Sequence, residues 1–266
     1  MRFVSYIKKN SLFHKLDPRA KLFLCLVLIL LSFLFNHPLF LFSLFLVVVC
    51  LSSLAKIQKE FLFRIKLLTP LVIMAFFLWA FFYRWSLFKH STGEVIFEIG
   101  PLQLDYTGLM YGLAMPFRIM VMIGVPLLFL MTTTLNELVL SLVKLRFPYK
   151  FAFTFGLSAR LIPTLGNEFL TLKEAQASRG LELDKGNLFK RIKSYIPVLI
   201  PLTLKALEFS DQMSMAMETK AFGASKERVF YREIKMKKVD YLIIAISLLS
   251  LFAGVLMRFM RIGVIE

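Results

Sequence analysis

The chain of 266 residues carries 33 Lys+Arg against 17 Asp+Glu, a formal net charge of +16, on a composition that is 58% hydrophobic with a mean hydropathy of +0.71. Apolar content at this level exceeds what a soluble core buries and calls for lipid as well. The cations lie beside apolar runs, where they read as topological anchors and not as a nucleic-acid footprint, so no nucleic-acid partner is expected.

The first 21 residues hold six cations and an Asp17-Pro18 break before any long apolar stretch, a pattern that does not fit a signal peptide. They are expected to form an amphipathic arm at the membrane surface. Phe3, Ile7, Leu12, Phe13 and Leu16 would face lipid, and Lys8, Lys9 and Lys15 the headgroups. Asp17 is placed to cap the first span, with Pro18 at its first helical position. Uncharged runs follow at 22–55, 67–83, 119–136 and 241–257. The first exceeds one crossing of a hydrocarbon layer about 30 Å thick and is broken at Asn36-His37-Pro38, which leads to an expectation of about five spans. Residues 107–117 read either as a sixth span or as the first half of a long span kinked at Pro116. Arg118 sits in this apolar region. It is either a functional cation or, on the simpler reading, a side chain that snorkels or pairs with a neighbouring helix. Cys25 and Cys50 fall within spans and read as small buried hydrophobes without a disulfide.

A basic segment, residues 136–238, interrupts the apolar pattern and holds 18 of the 33 Lys+Arg. Ten others precede residue 67, while the loop near 86–105 sets Arg84 and Lys89 against Glu94, Glu98 and Asp105. The positive-inside rule therefore assigns the N-terminus, the loop at 56–66 and residues 136–238 to the cytoplasm, and the loop near 86–105 to the outside. Leu161, Leu165, Phe169 and Leu172 form one helical stripe; Ala206, Phe209, Met213 and Met217 form another. Each leads to a cation and a glycine: Ala177-Ser178-Arg179-Gly180, and Thr219-Lys220-Ala221-Phe222-Gly223. Gly180 and Gly223 read as helix C-caps. A cation in a last helical turn is stabilised by the helix dipole alone, yet two such ends 41 residues apart, flanked by small residues, read as a pair of docking tips. Met213, Met215 and Met217 would supply an adaptable contact face. Pro197 and Pro201 separate the two helices, and Asp240 is placed to N-cap the last span. The chain is thus expected to be all-α: an N-terminal arm and membrane helices over 1–135, a cytoplasmic helix pair over 136–238, and a final span over 239–266.

Catalytic and cofactor motifs are absent. There is no G-x-x-x-x-G-K-[ST] for nucleotide phosphates and no H-E-x-x-H, and His14, His37 and His90 are far apart in sequence. Acidic residues are nearly missing from the apolar runs, which argues against a proton relay. Neither an enzyme nor a bound cofactor or metal is expected.

Residues 11–21, Ser-Leu-Phe-His-Lys-Leu-Asp-Pro-Arg-Ala-Lys, resemble the N-terminal signature of the transmembrane T component of energy-coupling factor transporters, a branch of ATP-driven importers. Pro126 with Thr132-Thr133-Thr134 and Glu137-Leu138 resembles that family's Thr-Thr and Glu-Leu stretch. Pro163, Glu168 and residues 175–180 resemble its first coupling region; Ala216-Met217-Glu218-Thr219-Lys220-Ala221-Phe222-Gly223 resembles its second. The resemblance implies a multi-span bundle with two long cytoplasmic coupling helices. The tips, Ala177 to Gly180 and Thr219 to Gly223 with Glu168 and Glu218 in support, would dock into two ATPase subunits. Motion would pass to a substrate-binding membrane subunit, the S component, for uptake of a vitamin, a vitamin precursor or a transition-metal ion. Lys220 and Ala221 stand where the family commonly has Arg and Gly. The alternatives are a conventional importer permease lining the substrate path, to which Glu174-Ala175-Gln176 with Gly180 roughly conforms, and a membrane-embedded enzyme.

Overall fold

A computed structural model describes residues 7, 9, 11, 13–82, 95–99, 102–181, 188–224, 236–260 and 263. Phe3, Lys8, Leu12, Arg84, Lys89, His90 and Glu94 lie outside them. Among the described residues the chain is all-α apart from one short hairpin, and it divides into two compact units: Met1–Ser141 with Ile234–Glu266, and Leu142–Glu233.

The first unit is a helical bundle. α1 (Pro18–Leu34) starts where Asp17 accepts the Arg19 N–H at 2.9 Å and Pro18 follows it, as expected. α2 (Pro38–Leu54) starts after the expected turn, with the His37 ring nitrogen accepting the Leu39 N–H at 3.3 Å. α3 (Gln58–Lys66) and α4 (Thr69–Phe82) follow, with a 52° bend between them. Next come β1 (Val95–Ile99) and β2 (Leu102–Asp105), antiparallel, with Val95 opposite Asp105 and Ile99 opposite Leu102. α5 (Tyr106–Thr132) runs unbroken through Pro116 and Pro126, so residues 107–117 begin one long helix and are not a separate span. Neighbouring helices make interior prolines tolerable in such a setting. α6 (Leu135–Lys144) comes next, and α10 (Lys238–Phe259) completes the unit.

By length and composition, α5 and α10 are able to cross a membrane, and the bent pair α3–α4 makes a third if it acts as one span. The expected five are not reached on this criterion, because the turn at 35–37 leaves α1 and α2 with 17 residues each, about 26 Å of helix. α5 is the centre of the bundle: α1, α2, α3 and α4 pack on it, and α10 packs on α1. Lipid gives helices little hydrophobic reason to associate, so small residues set the close approaches. A Cβ on Gly112 of α5 would lie 2.9 Å from the Ala80 Cβ of α4, and one on Gly254 of α10 would lie 2.5 Å from Leu31 of α1. Phe61, Val121, Val125, Leu128 and Met131 fill the core, while Ile73 and Phe77 of α4 and Leu249 and Phe252 of α10 point outward as a lipid-facing surface would.

Three expectations change here. Phe13 is 4% exposed, Ile7 and Leu16 pack against the same core cluster, and the Ile7 N–H donates to the Met131 carbonyl at 3.1 Å. The arm therefore buries these apolar side chains in the bundle instead of in lipid. Cys25 is buried and Cys50 is exposed; both are free thiols. Asp240 is not the N-cap of α10. It occupies the third helical position and accepts the N–H of Lys237, the actual cap, at 2.7 Å.

The second unit contains α7 (Tyr149–Ser178), α8 (Leu188–Ser194) and α9 (Ile196–Thr219). Pro197 lies in the first turn of α9, where its missing N–H costs no hydrogen bond, and Pro163 and Pro201 sit inside α7 and α9.

Candidate coupling site

α7 and α9 run antiparallel and pack through the two apolar stripes. Leu161 and Leu165 face Ala206, Phe209, Met213 and Met217 across a cleft of about 150 Å³, with Leu157 extending the α7 side. Phe169 stacks on Tyr195 at one end, with ring centroids 6.3 Å apart. At the other end Phe222 packs on Phe153 at 4.7 Å and Tyr149 at 5.9 Å. Met215 lies outside this seam and is 59% exposed, because two residues along a helix turn a side chain to another face. On α9, Lys205 donates to Glu208 at 2.9 Å. That bond, reinforced by Glu168 on α7, raises the Lys205 ammonium above the ordinary lysine range.

Both helices end in the same hydrogen-bond motif. At the end of α7 the Leu181 N–H donates to the Gln176 carbonyl at 3.1 Å and the Gly180 N–H to Ala177 at 2.9 Å. This is a Schellman cap, with Arg179 as C-cap and Gly180 in the left-handed region at φ +86. At the end of α9 the Phe222 N–H donates to Met217 and the Ala221 N–H to Glu218, each at 2.9 Å. Lys220 is the C-cap, and the left-handed residue is Ala221, φ +51. The expectation that Gly223 caps this helix is therefore corrected. Gly223 also has a positive φ, +96, but lies three residues beyond the cap. Phe222 sets the register, since its ring must reach Tyr149 and Phe153, which leaves an alanine in the position glycine would occupy at least cost.

Arg179 and Lys220 consequently hold equivalent places. Each is exposed at a helix C-cap, and neither makes an ion pair among the described residues. Ala177, Ser178, Thr219 and Gly223 around them are exposed too, as is Glu218, whereas Glu168 is half-buried. Because Phe222 packs at the start of α7 and Arg179 terminates its 30 residues, the two cations lie about 40 Å apart along the pair.

A family model described as "Cobalt transport protein" (CbiQ) matches residues 9–231. The energy-coupling factor transporter transmembrane protein EcfT of Staphylococcus aureus is 32% identical over 243 residues, 88% of each chain. The proteins of the same name from Streptococcus thermophilus and Ruminiclostridium cellulolyticum are 33% and 30% identical, over 92% and 96% of this chain and 94% and 96% of their own. The chain belongs to the energy-coupling factor T-component family. It is a membrane component of a multi-component transporter, and a transport subunit instead of an enzyme.

In this T component the stretch of residues 11–21 ties several helix ends together in the first unit. The Asp17 N–H donates to Asp240 Oδ1 at 2.9 Å, which joins the start of α1 to the start of α10. Lys21, only 1% exposed, donates its ammonium to the carbonyls of Thr132 at 3.1 Å and His14 at 3.4 Å, placing a cation at the C-terminus of α5 where the helix dipole favours it. The His14 ring bonds Ser11 Oγ at 2.7 Å and the Ile7 carbonyl at 2.9 Å, and burial holds its pKa below the usual histidine range. The Thr-Thr-Thr and Glu-Leu stretch forms a capping box for α6: Thr134 N–H to Glu137 Oε2 at 3.1 Å, and Glu137 N–H to Thr134 Oγ1 at 3.3 Å. Sequence spacing could reveal the capping box, but not the Lys21–Thr132 or Asp17–Asp240 contacts, which join residues over 100 positions apart.

Arg118 makes the pairing with a neighbouring helix that its simpler reading expects. It donates to the carbonyls of Ser32 at 3.0 Å and Phe35 at 2.7 Å and to the Asn36 side chain at 2.7 Å. A cation on α5 thus satisfies carbonyl groups left open at the end of α1.

Proposed function

We propose that this T component couples ATP hydrolysis in two partner ATPase subunits to a substrate-binding S component, through the tips of α7 and α9. One observation carries the reading. Two antiparallel helices end in the same capped geometry, each presenting an exposed cation that makes no ion pair among the described residues and is flanked by small residues. Each tip would enter a groove on one ATPase. Arg179 and Lys220 would meet acidic side chains there, and Ala177, Ser178, Gly180, Thr219, Ala221 and Gly223 would allow close backbone approach. Closure of the ATPases changes the spacing of two grooves. A pair of packed helices about 40 Å from tip to tip turns that change into a tilt or scissoring motion. Glu168, facing Lys205 across the pair, and Glu218, whose carbonyl receives the Ala221 N–H, support the lever and its second cap.

In this reading residues 136–238 and the N-terminus are cytoplasmic, the side the excess of Lys and Arg favours. α1 and α2 join α4, α5 and α10 in crossing the membrane, giving five spans. The cargo belongs to the class of vitamins, vitamin precursors or transition-metal ions, and selecting it falls to the S component. Lysine keeps the charge of an arginine but lacks its planar fork, so the Lys220 tip holds its ATPase less tightly than the Arg179 tip.

The test is co-purification of the full chain with its ATPase subunits. Arg179→Glu and Lys220→Glu should each lower the amount of ATPase recovered, with more retained at higher salt in the wild type if apolar contacts dominate and less if the cations do; the cationic reading requires less. Full recovery with both substitutions combined would refute the docking assignment.

A further inference from the structure

α1 carries α10 on one side and touches α2 on another, but α2 and α10 make no extended contact with each other among the described residues. The gap between them is a groove of about 560 Å³, open on one side and within the size range of small-ligand sites. One wall is Val47, Leu51 and Leu54, at spacings of four and three along α2; the other is Val239, Ile243 and Ile246, with the same spacings along α10. Leu24 of α1 contributes to the floor. This is an apolar channel running along two membrane helices. Its mouth is different: Lys15 of the arm and Lys237 at the cap of α10 line it, both exposed and neither in an ion pair among the described residues. Asp240 also reaches the mouth, but it is 1% exposed and its two oxygens are taken by the N–H groups of Asp17 and Lys237.

Two exposed cations, neither in an ion pair among the described residues, above an apolar slot match the order of groups in an anionic lipid. We propose that the groove between α2 and α10 binds one anionic glycerophospholipid, its phosphate between Lys15 and Lys237 and an acyl chain along the α2 and α10 walls. The bound lipid would fill the space that α2 and α10 leave open and brace α10 against the bundle. The site rests on the membrane placement of these helices and stands independently of what the α7 and α9 tips do.

Native mass spectrometry of the full chain in neutral detergent, with equimolar phosphatidylglycerol and phosphatidylcholine, tests it. The wild type should retain phosphatidylglycerol preferentially as a single adduct. Lys15→Gln and Lys237→Gln should each lower that preference about fivefold, and the pair roughly thirtyfold, from the worth of one basic residue at an anionic lipid surface. The Lys15→Arg, Lys237→Arg pair should keep it. Ile243→Trp, which fills the channel, should lose both lipids; Val47→Trp on the opposite wall repeats the test should the first variant fail to insert. Equal retention of the two lipids by the wild type, or a preference unmoved by the glutamine pair, overturns the proposal. So does a groove-filling variant that inserts and still keeps its lipid.

Discussion

The two helix caps differ in one atom group, and that difference has a sign. Gly180 and Ala221 occupy the same left-handed position of the same motif. An L-residue there costs about 1–2 kcal/mol, while glycine gives up about 0.5–1 kcal/mol more conformational freedom on ordering, so exchanging one for the other is worth about 0.5–1 kcal/mol net. Gly180→Ala should loosen the α7 tip by that amount; Ala221→Gly should tighten the α9 tip by the same. Steric contact does not complicate the first variant, since a Cβ on Gly180 meets no atom within 4 Å. Amide hydrogen exchange on the full chain in lipid nanodiscs reads both, at the Leu181 amide bonded to Gln176 and the Phe222 amide bonded to Met217. At RT of about 0.6 kcal/mol the expected changes are about two- to fivefold, faster at Leu181 and slower at Phe222. Changes in the same direction at both tips, or none at Leu181, would refute the shared cap geometry.

Asp240→Ala removes the acceptor of two N–H groups, one buried and one part-buried, and at about 1–3 kcal/mol for each donor left unpaired it should destabilise the bundle by about 2–6 kcal/mol. Thermal unfolding in detergent should show a large drop for alanine and a smaller one for Asp240→Asn, which keeps one acceptor; equal stability of all three proteins would contradict the latch. Arg118→Met should cost about 1.5–3 kcal/mol through lost charge-assisted bonds to the end of α1, and lower uptake only in proportion to protein abundance. Normal abundance with abolished uptake would show instead that Arg118 acts in transport. The His14 pKa is lowered chiefly by burial, so the unfolded arm binds a proton more readily than the folded one. The stability this contributes is complete above the ordinary histidine pKa of about 6.5 and is lost as pH falls from there toward the folded value. Exchange at the Ile7 amide, bonded to Met131, should therefore quicken below about pH 6.5 beyond its intrinsic pH dependence, and His14→Gln should remove the effect.

Local chemistry was the part of the fold open to sequence. Asp17-Pro18 starts α1 and Asn36-His37-Pro38 separates α1 from α2, because caps and prolines act over three or four residues. The apolar stripes of α7 and α9 likewise follow from spacing, and they meet in one seam. What spacing could not tell was anything decided by distant partners. Pro116 left two readings of residues 107–117 open, and packing against α1, α2 and α4 kept α5 continuous. Asp240 resembles an N-cap locally, but its bonds to Lys237 and to Asp17, 223 residues away, place it one turn inside the helix. Phe13 belongs on the apolar side of an amphipathic arm by pattern, yet it finds a protein core there instead of lipid. At the candidate site, a preference for glycine in left-handed caps pointed to Gly223, whereas docking of Phe222 on Tyr149 and Phe153 put Ala221 there.

The claim that α7 and α9 carry motion through their charged ends is tested most directly by substrate uptake into proteoliposomes holding the complete transporter, with ATP hydrolysis measured alongside. Arg179→Ala should cut uptake sharply while the T component still inserts in the membrane, and Lys220→Glu should impair uptake more than Lys220→Arg. Wild-type uptake by Arg179→Ala, together with equal uptake by both Lys220 variants, would contradict it.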